Sequence, residues 1–318
     1  MIRRRSRERA SRAAPPLHAA FRNQSRLRAG MKGNRPLRSL IEPIALPVIR
    51  YATRSYIPGP RLADAMALAG AAAAQDLDVT IGYWNDGKED PRVVADRYFE
   101  SLDAIAAAGI DGYVAVKIPA LHDRMDLAVE IVSRARSMGV RIIFDSHAPD
   151  RTDMTFKVLE RVGPELVGCA IPGRWRRSVA DADRAIKLGV SIRIVKGQWP
   201  DPEDRRIDLR EGYLRIVDRV AGSASHVGVA THDPVLAREA IRRLTAAGTS
   251  CEQELVYPLP IEKALIEARA AKLRSRLYVP FGSAWLPYSV SRAMQNPRVV
   301  FWLLRDLFTD NRFRLPRR

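Results

Sequence analysis

The chain has 318 residues, 47% of them hydrophobic, and a formal net charge of +17, so it is long enough for one large domain or two ordinary ones. Two cysteines exclude a disulfide framework. Cys169 and Cys251 fall in apolar, strand-like segments, so we expect both thiols to be reduced and buried in the core. No Cys/His cluster has the spacing of a zinc site, and no run of about 18 uncharged apolar residues predicts a membrane span.

The positive charge is concentrated at the amino terminus. Residues 1–40 contain twelve Lys and Arg and one acid, Glu8, which gives +11 and leaves +6 for the other residues. Such a segment is predicted to be a disordered arm. Three interpretations stay open: an arm for an anionic membrane or, less favoured, for nucleic acid, a mitochondrial transit peptide, or an extension without function ahead of a start at Met31.

Helix-like and strand-like segments alternate from about residue 60 onward. Residues 41–77 are predicted to form a helical segment that packs on the rest, with an alanine-rich helix over 61–75. Strands are predicted at 79–83, 113–118, 141–144, 166–171, 190–195, 226–230, 252–257 and 276–279. The helices between them, clearest at 91–108 and 127–138, end near glycine, a common stop signal. These glycines are Gly109, Gly139, Gly163, Gly189, Gly222 and Gly248.

Eight units at a spacing of roughly 30 residues predict an α/β fold, a (β/α)₈ barrel over residues 78–310. A doubly wound sheet is the alternative, but no glycine-rich phosphate loop of the GxGxxG or GxxxxGK[ST] kind is present. The last helix, 281–310, is predicted to pack back on the barrel, and 311–318 form a basic tail.

Polar residues mark the predicted strand ends, where barrels of this class bind their ligands. Arg193 and Lys196 lie in an apolar run that stops at Gly197; a strand whose cations reach solvent is the alternative reading. Such residues occur on seven of the eight strands, which predicts a ligand site. Cations dominate the set, so the ligand is predicted to be anionic. The set comprises Trp84, Asn85, Asp86, Lys117, Asp145, Ser146, His147, Arg193, Lys196, Thr231, His232, Asp233, Glu252, Glu254 and Tyr278, with Tyr288 and Arg292 on the last helix.

These motifs, in this order, resemble the proline dehydrogenase family over about residues 55–310. The stretch RIVKGQWPD at 193–201 resembles the family's R-[LI]-V-K-G-A-Y-W-D, and ATHD at 230–233 resembles A-T-H-N. Residues 251–258 are similar to the family's E-F-Q segment, and 277–288 to its eighth strand and the start of its last helix. The resemblance implies a distorted (β/α)₈ barrel that binds FAD. It also implies oxidation of L-proline to Δ¹-pyrroline-5-carboxylate, with hydride passing from C5 to flavin N5 and electrons then to a quinone.

The resemblance also implies site residues. Arg193 would lie by flavin N5, and Thr231 with His232 would hold the ribityl or pyrophosphate part. Lys117 and Arg292 would bind the substrate carboxylate. The implied catalytic set is Lys117, Asp145, Arg193, Trp199, Tyr278, Tyr288 and Arg292. The implied cofactor-binding set is Arg193, Val195, Gly197, Thr231, His232, Glu254 and Gln295. No metal is implied.

Several positions depart from the family pattern. Ser291 replaces the first of two paired arginines, and Pro172 replaces a flavin-contacting glutamine. Glu254 replaces a glutamine and Gln295 a glutamate, which we interpret as a swapped hydrogen-bonding pair. Gly82 replaces an aspartate on the first strand. The flavin-facing motif therefore persists while the substrate pocket differs, which leaves L-proline or a related cyclic or secondary amino acid as the predicted substrate.

Two other function classes stay open. Lys117 and Lys196 lie on barrel strands, as Schiff-base lysines do in aldolase-like enzymes. A degenerate homologue that only binds a partner is the second. The predicted location is the cytoplasm, with peripheral contact at the inner membrane, or the mitochondrion if the source is eukaryotic.

Overall fold

The computed structural model describes residues 60–282, in which helices and strands alternate throughout. The strands are Leu77–Tyr83 (β1), Gly112–Val116 (β2), Arg141–Phe144 (β3), Val167–Pro172 (β4), Ser191–Val195 (β5), Val227–Ala230 (β6), Cys251–Val256 (β7) and Ser275–Phe281 (β8). The α-helices are Leu62–Ala73 (α1), Pro91–Ala108 (α2), Met125–Ser137 (α3), Thr152–Val162 (α4), Ser178–Leu188 (α5), Leu209–Val220 (α6), Pro234–Ala246 (α7) and Glu262–Ala270 (α8).

The eight strands form one closed barrel in sequence order. Each strand pairs in parallel with the next, and β8 closes the barrel by pairing with β1 over seven residues, from Leu77 opposite Ser275 to Tyr83 opposite Phe281. Helix α1 precedes β1 and packs against β1 and β8, outside the repeat. The predicted (β/α)₈ barrel is therefore confirmed.

Local signals in the sequence explain the helix ends. Asp90 caps α2 by accepting a hydrogen bond of 2.8 Å from the backbone N–H of Arg92, and Gly109 ends the helix with φ of 62°. All six glycines predicted to stop helices have positive φ, which glycine adopts at little cost. Strand β2 ends at Val116, two residues earlier than predicted, because Pro119 opens a short 3₁₀ turn.

The outward and inward faces of the barrel strands pack against different surroundings, as β1 shows. Odd-numbered residues of β1, such as Val79 and Ile81, face the helices and join the main apolar core. Even-numbered residues, Asp78, Thr80 and Gly82, face the barrel interior, because side chains alternate along a strand. The interior of this barrel is therefore polar along β1 rather than filled by branched aliphatic residues.

Other sequence predictions can be compared with residues 60–282. Cys169 and Cys251 are buried and not bonded to each other, as predicted. No helix in this range is long and apolar enough to cross a membrane. The basic arm, the last helix and the basic tail lie outside the described residues.

Candidate functional site

Five inward-facing side chains meet near the carboxyl end of the barrel. We call them the upper ion cluster: Lys117, Asp145, Arg193, Glu254 and Tyr278. Lys117 and Asp145 directly follow β2 and β3, and the other three lie within β5, β7 and β8. Because parallel strands end at the same rim, residues far apart in sequence come together there.

Arg193 is the centre of this cluster and is only 4% exposed. Its Nη1 donates to Asp145 Oδ1 at 3.2 Å, and its Nη2 lies 2.6 Å from Glu254 Oε2 and donates to Thr80 Oγ1 at 3.2 Å. Burial alone would lower the pKa of Arg193, but Glu254 and Asp145 outweigh it and raise that pKa. Its Nε is buried without a partner. Buried N–H groups are rarely left unpaired, so this one is available to a ligand.

Lys117 lies at the rim of the same cluster. Its Nζ donates to the carbonyl of Tyr83 at 2.9 Å and to the hydroxyl of Tyr278 at 3.4 Å, and lies 3.4 Å from Asp145 Oδ2. Burial lowers the pKa of Lys117, and Asp145 opposes that shift. An ammonium has three N–H donors, and three acceptors surround this one. A ligand carboxylate would therefore have to replace one of them.

The charges of the upper ion cluster cancel. Lys117 and Arg193 are balanced by Asp145 and Glu254, so the predicted excess of cations is wrong for this part of the site. The reason is burial, because a cation enclosed in a barrel needs a counter-ion close by. A ligand that carries both charges fits this balance better than a simple anion.

Gly82 makes room for the tyrosine of the cluster. The hydroxyl of Tyr278 donates to Asp145 Oδ2 at 2.9 Å and accepts from Trp84 Nε1 at 3.2 Å. A Cβ at Gly82 would lie 2.1 Å from that hydroxyl oxygen. The absence of a side chain at position 82 thus leaves the space that the tyrosine hydroxyl occupies.

Gly228 on β6 makes room for Glu254 in the same way. A Cβ at Gly228 would lie 2.1 Å from Glu254 Oε1. Burial raises the pKa of Glu254, and Arg193 opposes that shift. The predicted partner, Gln295, lies outside the described residues, and the structure pairs Glu254 with Arg193.

Gly197 and Val195 lie where β5 ends. Gly197 has φ of 85°, and a Cβ there would lie 2.6 Å from the Cβ of Pro172. The Val195 carbonyl accepts a hydrogen bond of 2.7 Å from Gly173 N–H. Only glycine satisfies both the backbone conformation and the close approach of Pro172 at position 197.

His232 is held by backbone groups on both sides. Its Nδ1 lies 3.0 Å from the carbonyl of Pro260, and its Nε2 lies 3.0 Å from the N–H of Val256. A carbonyl can only accept and an N–H can only donate, so Nδ1 carries the proton. Neighbouring Thr231 is 2% exposed and accepts from Asp233 N–H at 3.2 Å.

Trp199 lies beside His147, which follows β3. Their rings are 5.4 Å apart, and His147 lines a cavity of about 20 Å³. Burial, then Lys117, lowers the pKa of His147 to about 4, so this ring is neutral at pH 7. The cavity has room for about one water molecule, and Nε2 of His147 is buried without a partner.

Glu252 does not belong to the upper ion cluster, although it was predicted at a strand end. It is the second residue of β7 and pairs with Arg276 in a separate group toward the amino-terminal end of the barrel. We call this group the lower ion cluster. It comprises Asp78, Asp111, Glu252, Arg274 and Arg276.

The sequence prediction missed Thr80, which contacts Arg193. The signal was present, because Asp78, Thr80 and Gly82 are non-apolar at every second position of an otherwise apolar strand. Within the described range, no group of three or more His, Cys, Asp or Glu could hold a metal. The predicted site residues Tyr288, Arg292 and Gln295, and the departure at Ser291, lie outside the described residues.

Comparison with known proteins finds individual relatives in sequence and in fold. No protein-family model matches the chain. The chain is similar to a proline dehydrogenase of Deinococcus radiodurans, with 26% identity over 295 residues that cover 85% of this chain and 94% of the relative. It is also similar to proline dehydrogenase 1 of Bacillus subtilis subsp. natto, with 21% identity over 81% of this chain and 91% of the relative.

Solved structures show the same fold. Proline utilization A from Bdellovibrio bacteriovorus, inactivated by N-propargylglycine, superposes with a TM-score of 0.69 and 16% identity over 86% of this chain. The same protein from Corynebacterium freiburgense gives 0.64 and 15% over 91%. The chain spans about a third of the length of these structural relatives, at 35% and 37%. The predicted resemblance to the proline dehydrogenase family is confirmed by these relatives.

Proposed function

We propose that this chain is an FAD-dependent dehydrogenase that oxidises L-proline, or a related cyclic or secondary amino acid, to an imine of the Δ¹-pyrroline-5-carboxylate type. The observation that carries the proposal is Arg193, a buried cation with an unpartnered Nε at the carboxyl end of the barrel. Arg193 belongs to a chain that is similar to two proteins named proline dehydrogenase, and the similarity covers 94% and 91% of their lengths.

The residues at the end of β5 fit a flavin. The orphaned Nε of Arg193 offers a charged donor, and the backbone of Val195 and Gly197 would contact the isoalloxazine ring. The hydroxyl of Thr231 would serve the ribityl or pyrophosphate part. His232 acts there by fixing the turn, since its ring nitrogens already bind Pro260 and Val256. Bound FAD would supply the hydride acceptor that no side chain provides.

The neutral upper ion cluster fits an amino acid. A zwitterion has no net charge, and it presents a carboxylate and an ammonium to opposite ends of one site. Lys117 would exchange one of its three acceptors for the carboxylate, assisted by Arg292. Asp145 holds Lys117, Arg193 and Tyr278 in place. Tyr278 and Tyr288 would pack on the substrate ring, and Trp199 would line the rim.

The electron acceptor in this proposal is a quinone. Because quinones reside in membranes, the protein would contact a membrane surface as a peripheral protein from the cytoplasm, or within the mitochondrion in a eukaryote.

The first test is the visible spectrum of the purified full chain, reconstituted with FAD and mixed anaerobically with L-proline. We expect a yellow protein that bleaches with L-proline and not with D-proline, the matched control. A yellow protein that bleaches only with another cyclic or N-alkyl amino acid would change the substrate. A protein that takes up no FAD would contradict the proposal.

A Schiff-base enzyme is the second candidate, because Lys117 is buried with a lowered pKa. Borohydride trapping of a carbonyl substrate on the flavin-free chain, abolished in Lys117→Arg, would favour it. Trapping that persists in the variant, or none in the parent, would exclude Lys117 as the amine.

A further inference from the structure

The shortest contact in the upper ion cluster joins Arg193 to Glu254. Their charged atoms lie 2.6 Å apart, and the two side chains are 4% and 5% exposed. They come from β5 and β7, and the glycine at position 228 on the strand between them leaves the space for the carboxylate. In an enclosed site, charges act on each other much more strongly than they do in water.

Glu254 is the second counter-ion of Arg193. Asp145 lies 3.2 Å from the guanidinium, but it also lies 3.4 Å from the ammonium of Lys117, so two carboxylates together balance the two cations. A glutamine at 254 would still present an oxygen acceptor to Nη2 with the same length of side chain. Neither packing nor hydrogen bonding therefore requires an acid here, and what the acid adds is one negative charge beside Arg193.

That charge matters for an electron acceptor beside Arg193. A nearby cation stabilises the reduced, more negative form of such a group, and a carboxylate cancels part of this effect. We propose that Glu254 sets the reduction potential of the bound flavin by neutralising Arg193, which makes the flavin a weaker oxidant. The inference rests on the proposed function, since it requires a flavin beside Arg193. Glu254 acts through Arg193 and is thus a positioning residue.

The experiment measures the midpoint potential of FAD bound to the full chain, by equilibration against a redox dye followed by flavin absorbance. In Glu254→Gln we expect the equilibrium for two-electron reduction to shift about tenfold toward reduced flavin, which is about +30 mV. Glu252→Gln is the matched control, because it removes the same charge from the same strand and the same inner face, beside Arg276. Its potential should shift clearly less than that of Glu254→Gln, because Glu252 faces Arg276 and acts on Glu254 only through space.

The outcomes separate the two proposals. If the equilibrium constant for flavin reduction in Glu254→Gln lies within twofold of the parent value, in a chain that binds FAD and bleaches with L-proline, this inference is overturned and the proposed function is left intact. An equal shift in Glu252→Gln would overturn it too, because the effect would then not be specific to Arg193. A parent chain that binds no FAD would overturn both. If Glu254→Gln does not fold, Glu254→Asp keeps the charge but withdraws it by one methylene. It should shift the potential in the same direction by less, and no shift would again contradict the inference.

Discussion

Two buried arginines inside the same barrel differ in how completely their nitrogen atoms are hydrogen-bonded. Arg276 is 1% exposed and Arg193 is 4% exposed, and each faces a glutamate of β7. All three nitrogens of Arg276 donate: Nε and Nη2 to Glu252, Nη2 also to Asp111, and Nη1 to the carbonyls of Val79 and Asp111. Arg193 has partners on both Nη atoms, but its Nε has none.

This difference distinguishes a buried charge whose bonds are complete from one that keeps an unused donor. Arg276 also stacks on Tyr113, with its guanidinium carbon 3.6 Å from the ring centre, so this guanidinium is fully bonded without any ligand, although Oδ2 of Asp78 in the same cluster has no hydrogen-bond partner. The lower ion cluster belongs to the stability of the fold, in the half of the barrel where such residues are expected. Arg193 lies in the upper ion cluster with one donor unused, and in the proposed function a ligand would bond to it.

Removing Arg276 should have the largest effect on stability. In Arg276→Met the buried Glu252 loses its counter-ion, and we expect the free energy of unfolding in urea to fall by about 3–5 kcal/mol. Arg238→Met is the control, because Arg238 pairs with Glu267 on the surface and is 67% exposed. It should cost less than about 1 kcal/mol. Equal losses in the two variants would remove the distinction between the clusters.

Removing Arg193 should affect turnover more than stability. Lys117 remains 3.4 Å from Asp145, and Glu254 can take up a proton, so Arg193→Met leaves less uncompensated charge than Arg276→Met. We expect turnover with L-proline to fall about 10²–10³-fold, a typical loss for one stabilising donor. Steady-state assays together with urea unfolding would show this. Turnover within threefold of the parent would place the reacting group elsewhere.

The two glutamates of β7 should respond to acid in opposite ways. Burial would raise the pKa of Glu252, but His226 and Arg276 outweigh it and lower that pKa to about 2. Its contribution, on the order of 3 kcal/mol, is present above pH about 4.5 and is lost as the pH falls toward 2. Glu254 has a raised pKa, so its contribution decreases as the pH rises above about 4.5.

Unfolding free energies measured between pH 7 and pH 2 test these opposite signs. Glu252→Gln should flatten the acid limb of the profile, whereas Glu254→Gln should steepen the gain of stability with rising pH. Profiles of the two variants that change in the same direction would contradict the assignment of the clusters.

Filling the space at Gly82 should have the smallest effect. In Gly82→Ala the new methyl would meet the hydroxyl of Tyr278, so that ring must move away from Asp145. We expect a loss of about 1–3 kcal/mol in stability and a fall in turnover. Gly70→Ala in α1 is the matched control, since nothing lies within 4 Å of that Cβ. It should be neutral or stabilising, because alanine favours helix.

Much of the fold could be predicted from the sequence. Helix-stop glycines such as Gly109 and Gly189 and the alternation of strands with amphipathic helices are local signals, and they sufficed for the barrel. Strand ends such as Lys117 and Asp145 could be predicted because a parallel barrel brings its carboxyl ends together.

The pairing inside the barrel could not be predicted. Glu252 and Glu254 differ by two positions on one strand and share one face, yet they belong to different clusters at different depths. Which arginine each one meets depends on the register between β7 and its neighbours, and a single sequence does not encode that register locally. The balance of charge in the site follows from the same pairing.

The close contacts at Gly82 and Gly228 also limit which substitutions this sequence can accept. A side chain at position 82 would require Tyr278 to move or to be replaced, and a side chain at position 228 would require the same of Glu254. In each pair, the combination of both side chains is sterically penalised. Substitutions at positions 82 and 278, and at positions 228 and 254, should therefore be non-additive in their effects on stability.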